Sequence, residues 1–253
     1  MFDHGINIET VASTIRPEID PNRKPIIELR NVDKAYPTAA GNFFALKNIN
    51  ICIYPAEFVC IVGKSGAGKS TLANMITGVD SLSAGEVLVN GVSINSMNED
   101  RLALWRGRNL GVIYQTFELM PMLTLLENVM LPMDFCGLYR PRRSRERAME
   151  LLRLVELEDQ VDKLPNAISG GQQQRVAIAR ALANDPPIIV ADEPTGRLDS
   201  VTAETIFQFF ERLIVQGKTI LMVTHDRSEA ERSTRVLELA DGEFVSQTIP
   251  EAR

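Results

Sequence analysis

One stretch decides the fold: Gly63-Lys64-Ser65-Gly66-Ala67-Gly68-Lys69-Ser70-Thr71. An apolar run at 58–62 precedes it and predicts a buried strand, and residues 71–76 predict the start of a helix. Strand, glycine-rich loop and helix in this order are the setting of a phosphate-binding loop. The glycines let backbone N–H groups face a polyphosphate, and the helix dipole adds to the attraction. We expect Lys69 between the last two phosphates and the Ser70 hydroxyl on Mg²⁺; a purely connecting loop is the alternative.

The composition is that of a globular protein with 45% hydrophobic and 24% charged residues. The net charge of −6 argues against a nucleic-acid partner. The sequence has no apolar run near the ~20 residues that cross a bilayer, and its start lacks signal-peptide features, so we expect a cytosolic protein. Cys52, Cys60 and Cys136 fit no metal spacing; Cys52 and Cys60 are expected to be buried thiols.

Residues 1–25 form a separate N-terminal extension. Ile8, Val11, Ala12 and Ile15 fall on one face of a short helix. Such a helix is marginal alone in water, so the extension either docks on a surface or is disordered.

From residue 26 onward, strand-like and helical patterns alternate. Strands are predicted at 26–30, 43–54, 58–62, 85–92, 109–115, 187–193 and 218–226, with a final hairpin at 236–245. Helical periodicity fills 116–184, most clearly at 124–130 and 144–157, and returns at 202–214, whereas 31–42 is rich in turn residues. The alternation predicts an α/β fold with a mainly parallel sheet and helices on both faces.

Three titratable side chains close buried strands. Asp192 and Glu193 end the strand at 187–193, and His225 ends the strand at 218–226. Ligands bind at the carboxyl ends of such strands, where the phosphate loop also lies. We expect Asp192 to hold Mg²⁺, Glu193 to activate water as a general base, and His225 to contact the terminal phosphate. The alternatives are a solvated strand end and a structural histidine.

A second glycine motif begins a helix. It consists of Ser169, Gly170, Gly171 and Gln172, and backbone N–H groups at a helix start can bind an anion. One chain has no use for two cradles around one polyphosphate, but two chains arranged head to tail do. The alternative is a glycine-rich cap of a structural helix.

Together these motifs resemble the nucleotide-binding subunit of an ATP-binding cassette (ABC) transporter. Residues 63–71 match its Walker A loop, 188–193 its Walker B strand and 168–172 its signature motif. Gln115 matches the Q-loop, Leu198-Asp199 the D-loop and His225 the switch histidine. The resemblance covers about residues 26–245. It implies a nucleotide-binding domain at 26–253, with a P-loop NTPase core of mainly parallel sheet, an antiparallel β subdomain and a helical subdomain at about 116–185.

The resemblance also implies a complete site for ATP and Mg²⁺. Lys69, Gln115, Glu193 and His225 would be catalytic, and Ser70, Gln115 and Asp192 would surround the metal. The nucleotide would be bound by Tyr36, stacked on adenine, by Gly63, Lys64, Ser65, Gly66, Ala67, Gly68, Lys69, Ser70 and Thr71, and by Ser169, Gly170, Gly171, Gln172 and Asp199.

The stretch Thr195-Gly196-Arg197-Leu198-Asp199 is similar to the macrolide-efflux and lipoprotein-release group. That group commonly has Asn where Arg197 stands, and Ile168 replaces the usual Leu. The resemblance implies an ATP-hydrolysing subunit at the cytoplasmic face of the membrane. It would dimerise with a second copy or a paralogous cassette around two Mg-ATP and drive export, extraction or mechanotransmission by a separate transmembrane permease. An importer subunit, or a soluble ABC ATPase in translation or DNA repair, is the alternative.

A run of arginines stands apart from these motifs. Arg140, Arg142, Arg143, Arg145 and Arg147 crowd the start of a predicted helix, where they oppose the helix dipole. Anionic headgroups or a partner loop could contact them. The pattern alone favours a solvated face.

Overall fold

A computed structural model of the chain describes residues 23–39 and 41–250. The helix predicted from Ile8, Val11, Ala12 and Ile15 lies outside these residues. Within the described ranges, no helix combines the length and apolar character needed to span a bilayer.

Strands and helices alternate along the described chain as the periodicity predicts. Their bounds are β1 Ile27–Thr38, β2 Gly41–Ile53, β3 Phe58–Val62, α1 Lys69–Thr77, β4 Ala84–Val89, β5 Val92–Ser93, α2 Glu99–Asn109, β6 Leu110–Ile113, α3 Leu125–Phe135, α4 Pro141–Leu154, α5 Gly170–Ala181, β7 Ile188–Asp192, α6 Ser200–Val215, β8 Thr219–Thr224, α7 Arg227–Ala230, β9 Arg235–Ala240 and β10 Glu243–Thr248. Short 3-10 turns occur at Ile94–Ser96, Glu158–Gln160 and Pro165–Ala167.

The central sheet has the strand order β10-β9-β3-β8-β7-β6. Its strands from β9 to β6 are parallel, and β10 is an antiparallel edge formed by the predicted final hairpin. In β3, Phe58 and Cys60 face one hydrophobic core, whereas Val59 and Ile61 face the other. Because both faces are covered, the central strands are continuously apolar, which confirms the predicted mainly parallel sheet.

Different layers cover the two faces of this sheet. On one side, α1 buries Leu72 and Met75 in a core shared with a second, antiparallel sheet of order β2-β1-β4-β5. On the other side, α3, α4, α5 and α6 pack together, and Phe210 of α6 meets Phe58 edge to face at 6.1 Å between ring centroids. This arrangement confirms the predicted P-loop NTPase fold class, with its antiparallel and helical parts.

The prediction of a turn-rich segment at 31–42 is wrong, because most of this segment lies in β1. The pairing of β1 with β2 shifts register between Leu29 and Val32. Asn31 takes a left-handed backbone with φ of +47°, and its N–H donates to Asn50 Oδ1 at 2.9 Å. The turn-forming residue is thus accommodated in a β-bulge, which bends the strand without ending it.

Two further expectations need correction. The helix predicted at 144–157 begins at Pro141 and ends at Leu154. Ser144 lies inside its first turn, where the hydroxyl accepts a hydrogen bond from the Arg140 N–H at 2.9 Å, and Pro141 starts the helix because it needs no N–H partner. Cys60 is buried as expected, but Cys52 is only half-buried, because it faces away from the core that holds its neighbours on β2.

Candidate functional site

The phosphate loop joins β3 to α1. Gly68 is the N-cap residue of α1, with φ of +104°, and it has no side chain to cover the N–H groups of the first turn. The Lys69 ammonium is 7% exposed and folds back over the loop, donating to the carbonyls of Gly63 at 2.8 Å and Lys64 at 3.1 Å. Unpaired N–H groups beside a buried cation form an anion-binding site.

Close backbone packing explains two of the loop glycines. A Cβ on Gly63 would lie 2.3 Å from the Leu239 carbonyl oxygen, and one on Gly68 would lie 2.5 Å from the Ala45 carbonyl oxygen. The loop is therefore wedged between β9 and β2. Only glycine fits there without moving the backbone.

Asp192 lies beside the first turn of α1. Burial raises the pKa of the Asp192 carboxyl, and the neighbouring Glu193 charge also raises it. A hydrogen bond with Ser70 and the Lys69 charge act in the opposite direction, but the pKa remains raised. The Ser70 hydroxyl and the Asp192 carboxylate are hard oxygen ligands of the kind that Mg²⁺ uses. Among the described residues, no group of three or more His, Cys, Asp or Glu side chains is arranged to hold a metal ion.

Glu193 lies between two of the other predicted catalytic side chains, Gln115 and His225. Its Oε2 accepts a hydrogen bond from Gln115 Nε2 at 3.1 Å, and its Oε1 lies 3.0 Å from His225 Nδ1. The Glu193 backbone has φ of +46°, and its N–H donates to the Val223 carbonyl at 2.9 Å. That hydrogen bond maintains the left-handed backbone of Glu193, a conformation that is unfavourable for a non-glycine residue. The conformation directs the Glu193 carboxylate toward Gln115 and His225.

A cleft of about 570 Å³ unites most of these groups. Its lining includes Tyr36, Phe43, Ala45, Ser65, Gly66, Gly68, Lys69, Ser70, Thr71, Gln115, Glu193 and His225. The Tyr36 hydroxyl donates to Asp80 Oδ2 at 2.8 Å, and the Lys34 ammonium lies 4.7 Å from the centroid of the Tyr36 ring. The predicted loop, base and histidine are therefore brought together in one cleft.

The signature residues and Asp199 do not line this cleft, among the residues that the structure describes. Ser169 and Gln172 form a reciprocal cap at the start of α5, with Gln172 N–H donating to Ser169 Oγ at 3.3 Å and Ser169 N–H donating to Gln172 Oε1 at 2.9 Å. Asp199 caps α6 through Thr202, whose hydroxyl donates to it at 2.7 Å and lowers the pKa of Asp199. Ser169, Gly170 and Asp199 are exposed, so they face outward from the fold.

Sequence reasoning missed several residues at this site. Phe43 lines the cleft as the cross-strand partner of Tyr36. Glu229 accepts hydrogen bonds from Thr195 Oγ1 and from Thr224 Oγ1, the latter at 2.8 Å. Both threonines adjoin predicted catalytic residues, so their buried hydroxyls required a partner.

A phosphate loop follows β3, and two carboxylates lie at the end of β7. The two strands belong to the same sheet, with β8 between them. This combination defines a P-loop ATPase. The protein-family model described as "ABC transporter" matches residues 46–196. The chain belongs to the ABC transporter family of ATP-binding proteins, whose members hydrolyse ATP.

Relatives cover nearly the whole described chain. The ABC transporter ATP-binding protein MJ0796 of Methanocaldococcus jannaschii is 47% identical over 222 residues, 86% of this chain and 94% of the relative. The macrolide export ATP-binding/permease protein MacB of Shigella flexneri is 43% identical over 221 residues, 87% of this chain but 34% of the relative. A solved structure of MJ0796, a dimer in a post-hydrolysis state bound to ADP and Pi, superposes with a TM-score of 0.84 at 44% identity and covers 89% of this chain and 99% of that chain.

Proposed function

We propose that this chain hydrolyses ATP as one half of a cassette dimer that drives a separate transmembrane partner. The observation that carries the proposal is the division of the site. Lys69, Glu193 and His225 line one cleft, whereas the signature residues Ser169 and Gly170 lie exposed elsewhere. A second copy or a paralogous cassette, placed head to tail, would close each cleft with the partner's signature motif. The solved structure of MJ0796, a dimer bound to ADP and Pi, supports the dimer.

We infer a task in hydrolysis for each of these side chains. Tyr36 and Phe43 would hold the adenine, and the loop N–H groups with Lys69 would hold the phosphates. Ser70, Asp192 and the Gln115 amide oxygen would hold Mg²⁺, which would neutralise phosphate charge when bound.

The attacking water would be activated at Glu193. As the water oxygen bonds the terminal phosphorus, the bond to the bridging oxygen breaks and a water proton passes to Glu193. His225 Nδ1, 3.0 Å from Glu193 Oε1, and Gln115 Nε2, 3.1 Å from Oε2, hold the base in position. Positioning of this kind is a large part of catalysis in phosphoryl transfer.

The transmembrane partner is proposed from the relatives. MacB combines an ATP-binding and a permease part in one protein, and this chain matches about a third of it. We infer that the chain works with a transmembrane permease partner at the cytoplasmic face of the membrane, and that the complex exports or extracts its substrate. Net charge of −6 argues against nucleic acid as a partner.

The variant Glu193→Gln tests the catalytic assignment. We expect ATP binding to persist, hydrolysis to fall below detection and ATP to trap a dimer visible by size-exclusion chromatography, because the amide cannot accept the proton. Glu243→Gln is the matched control, since Glu243 is 61% exposed and pairs with Lys47 at 3.9 Å. Normal turnover in Glu193→Gln would refute Glu193 as the base.

A tagged pull-down from detergent-solubilised membranes tests the partner. A permease with few spans and a large extracytoplasmic domain supports export or extraction. A many-span permease with a solute-binding protein would instead support the importer alternative, and no membrane partner would favour a non-transport role.

A further inference from the structure

The α3–α4 turn presents exposed apolar and cationic side chains on one projecting surface. Phe135 ends α3 and is 72% exposed, Leu138 is 45% exposed and Tyr139 is 38% exposed. Arg142, Arg143 and Arg145, also exposed, follow in the first turns of α4. We call Phe135, Leu138, Tyr139, Arg142, Arg143 and Arg145 the turn patch.

The backbone fixes this turn patch in place. Gly137 has φ of +66°, and the Leu138 N–H donates to the Met133 carbonyl at 2.8 Å, so α3 closes with a left-handed cap. On α4, the buried face contains Ser144, Ala148 and Leu151. The arginines of the turn patch therefore lie on the exposed face of the helix. The patch is therefore a defined surface and not a collapsed loop.

Local energetics give no reason for the arginines. They stand at the positive end of the α4 dipole, where cations are unfavourable. Arg142 is 91% exposed and pairs with Glu146 at 2.9 Å, the carboxylate that the structure places within ion-pair distance of it. A surface pair of this kind contributes little. The chain as a whole is acidic, with a net charge of −6, so the turn patch opposes its overall charge.

We propose that the turn patch binds the surface of an anionic lipid bilayer directly. Arginines attract acidic headgroups, while Phe135, Leu138 and Tyr139 supply the apolar and aromatic groups that insert at the headgroup boundary. This contact goes beyond the proposed function, because it requires neither ATP nor the permease. It would hold the cassette against the membrane and orient it there.

Vesicle flotation of the full-length purified chain tests the proposal. We expect binding to vesicles of phosphatidylcholine with one third phosphatidylglycerol, little binding to phosphatidylcholine alone, and loss of binding at high salt. Because each arginine near an acidic surface contributes about fivefold in partitioning, Arg142→Gln, Arg143→Gln and Arg145→Gln together should weaken binding on the order of 100-fold. Phe135→Ser with Tyr139→Ser should weaken binding without removing its salt dependence.

A second triple variant controls for net charge. Arg30→Gln, Arg101→Gln and Arg153→Gln remove the same three charges from exposed positions outside the turn patch. Vesicle binding should stay within about twofold of wild type, and both triple variants should keep wild-type ATPase activity, since they lie outside the cleft. Equal loss in the two triple variants, or no wild-type binding at low salt, would overturn the proposal. So would patch-dependent binding to a detergent-solubilised permease with none to vesicles, which would assign the patch to a protein partner.

Discussion

Replacing Glu229 with glutamine should slow ATP hydrolysis without weakening ATP binding. The Glu229 carboxylate accepts hydrogen bonds from the hydroxyls of Thr195 and Thr224. Thr195 follows Glu193 by two residues, and Thr224 directly precedes His225. One carboxylate thus joins the two strand ends that carry the base and the histidine beside it.

The expected size follows from these two bonds. A hydrogen bond to a charged group contributes about 1.5–3 kcal/mol, and an unpaired buried hydroxyl costs about 1–3 kcal/mol. Thr195 is 4% and Thr224 is 2% exposed, so Glu229→Ala should lower the free energy of unfolding by about 3 kcal/mol or more. Glu229→Gln keeps one carbonyl acceptor, and loosening of the Glu193–His225 contact should reduce kcat about tenfold, equivalent to about 1.4 kcal/mol. KM for ATP should not change, because Glu229 bonds Thr195 and Thr224 and not the phosphate loop or Tyr36.

Phosphate release over a range of ATP concentrations, with urea unfolding of the same samples, measures both effects. Thr195→Val and Thr224→Val each remove one hydroxyl donor at nearly constant volume, and each should reproduce part of the kcat loss. Combined with Glu229→Gln, they should add little, since all three changes break the same contacts. Thr205→Val on α6, whose hydroxyl bonds the Val201 carbonyl of its own helix, is the control. If Glu229→Gln loses unfolding free energy but keeps the wild-type kcat, Glu229 serves packing alone and the reasoning fails.

Two further predictions concern Gly68 and Asp80. Gly68→Ala should abolish ATP binding in calorimetry and lower the free energy of unfolding by about 1–3 kcal/mol, because its Cβ would lie 2.5 Å from the Ala45 carbonyl oxygen at φ of +104°. Gly66→Ala, at φ of +82° but with nothing within 4 Å of its Cβ, should lose less stability, and equal losses would contradict the steric argument. The second concerns Asp80: burial raises the pKa of its carboxyl, but hydrogen bonds from Lys34 and Tyr36 outweigh burial and leave that pKa lowered. A lowered carboxyl pKa adds stability above its ordinary value of 3.8, and this stability is lost as the pH falls through the folded-state value. The unfolding free energy of wild type should therefore exceed that of Asp80→Asn at neutral pH and converge with it below about pH 3.8 in pH-dependent urea unfolding; a constant gap would contradict the role of the charge.

Local sequence patterns predicted the site residues that directly follow a single buried strand. The apolar run before Gly63, the carboxylates after β7 and the histidine after β8 can all be read along the chain. Parallel pairing then brings the strand ends together without further information, since Asp192 pairs with Val223 in register. That is why Glu193 and His225 could be expected in one cleft.

Contacts that join distant segments could not be predicted in the same way. Glu229 and Thr195 are 34 residues apart, and their contact depends on how α7 packs behind β8. Phe43 enters the cleft only because the β1–β2 hairpin has one particular register. The helix α2 has Leu102 as its one buried side chain, so it lacks the apolar stripe of the helices α3 to α6.

The helix α5 is hydrogen-bonded to the segment that follows Glu193, the proposed catalytic base. Gln174 on α5 is 1% exposed, and its Nε2 donates to the Pro194 carbonyl at 2.7 Å. Pro194 lies between Glu193 and Thr195, so this bond and the Glu229 bond hold the same short segment from two sides. Because Gln174 Oε1 has no hydrogen-bond partner within the described residues, its buried amide is committed to that single bond. If α5 is displaced, the backbone that follows Glu193 must either move with it or lose the hydrogen bond from Gln174 Nε2. Losing the bond would leave a second buried polar atom of Gln174 unpaired, which costs free energy. This bond therefore couples the position of α5 to the backbone next to Glu193.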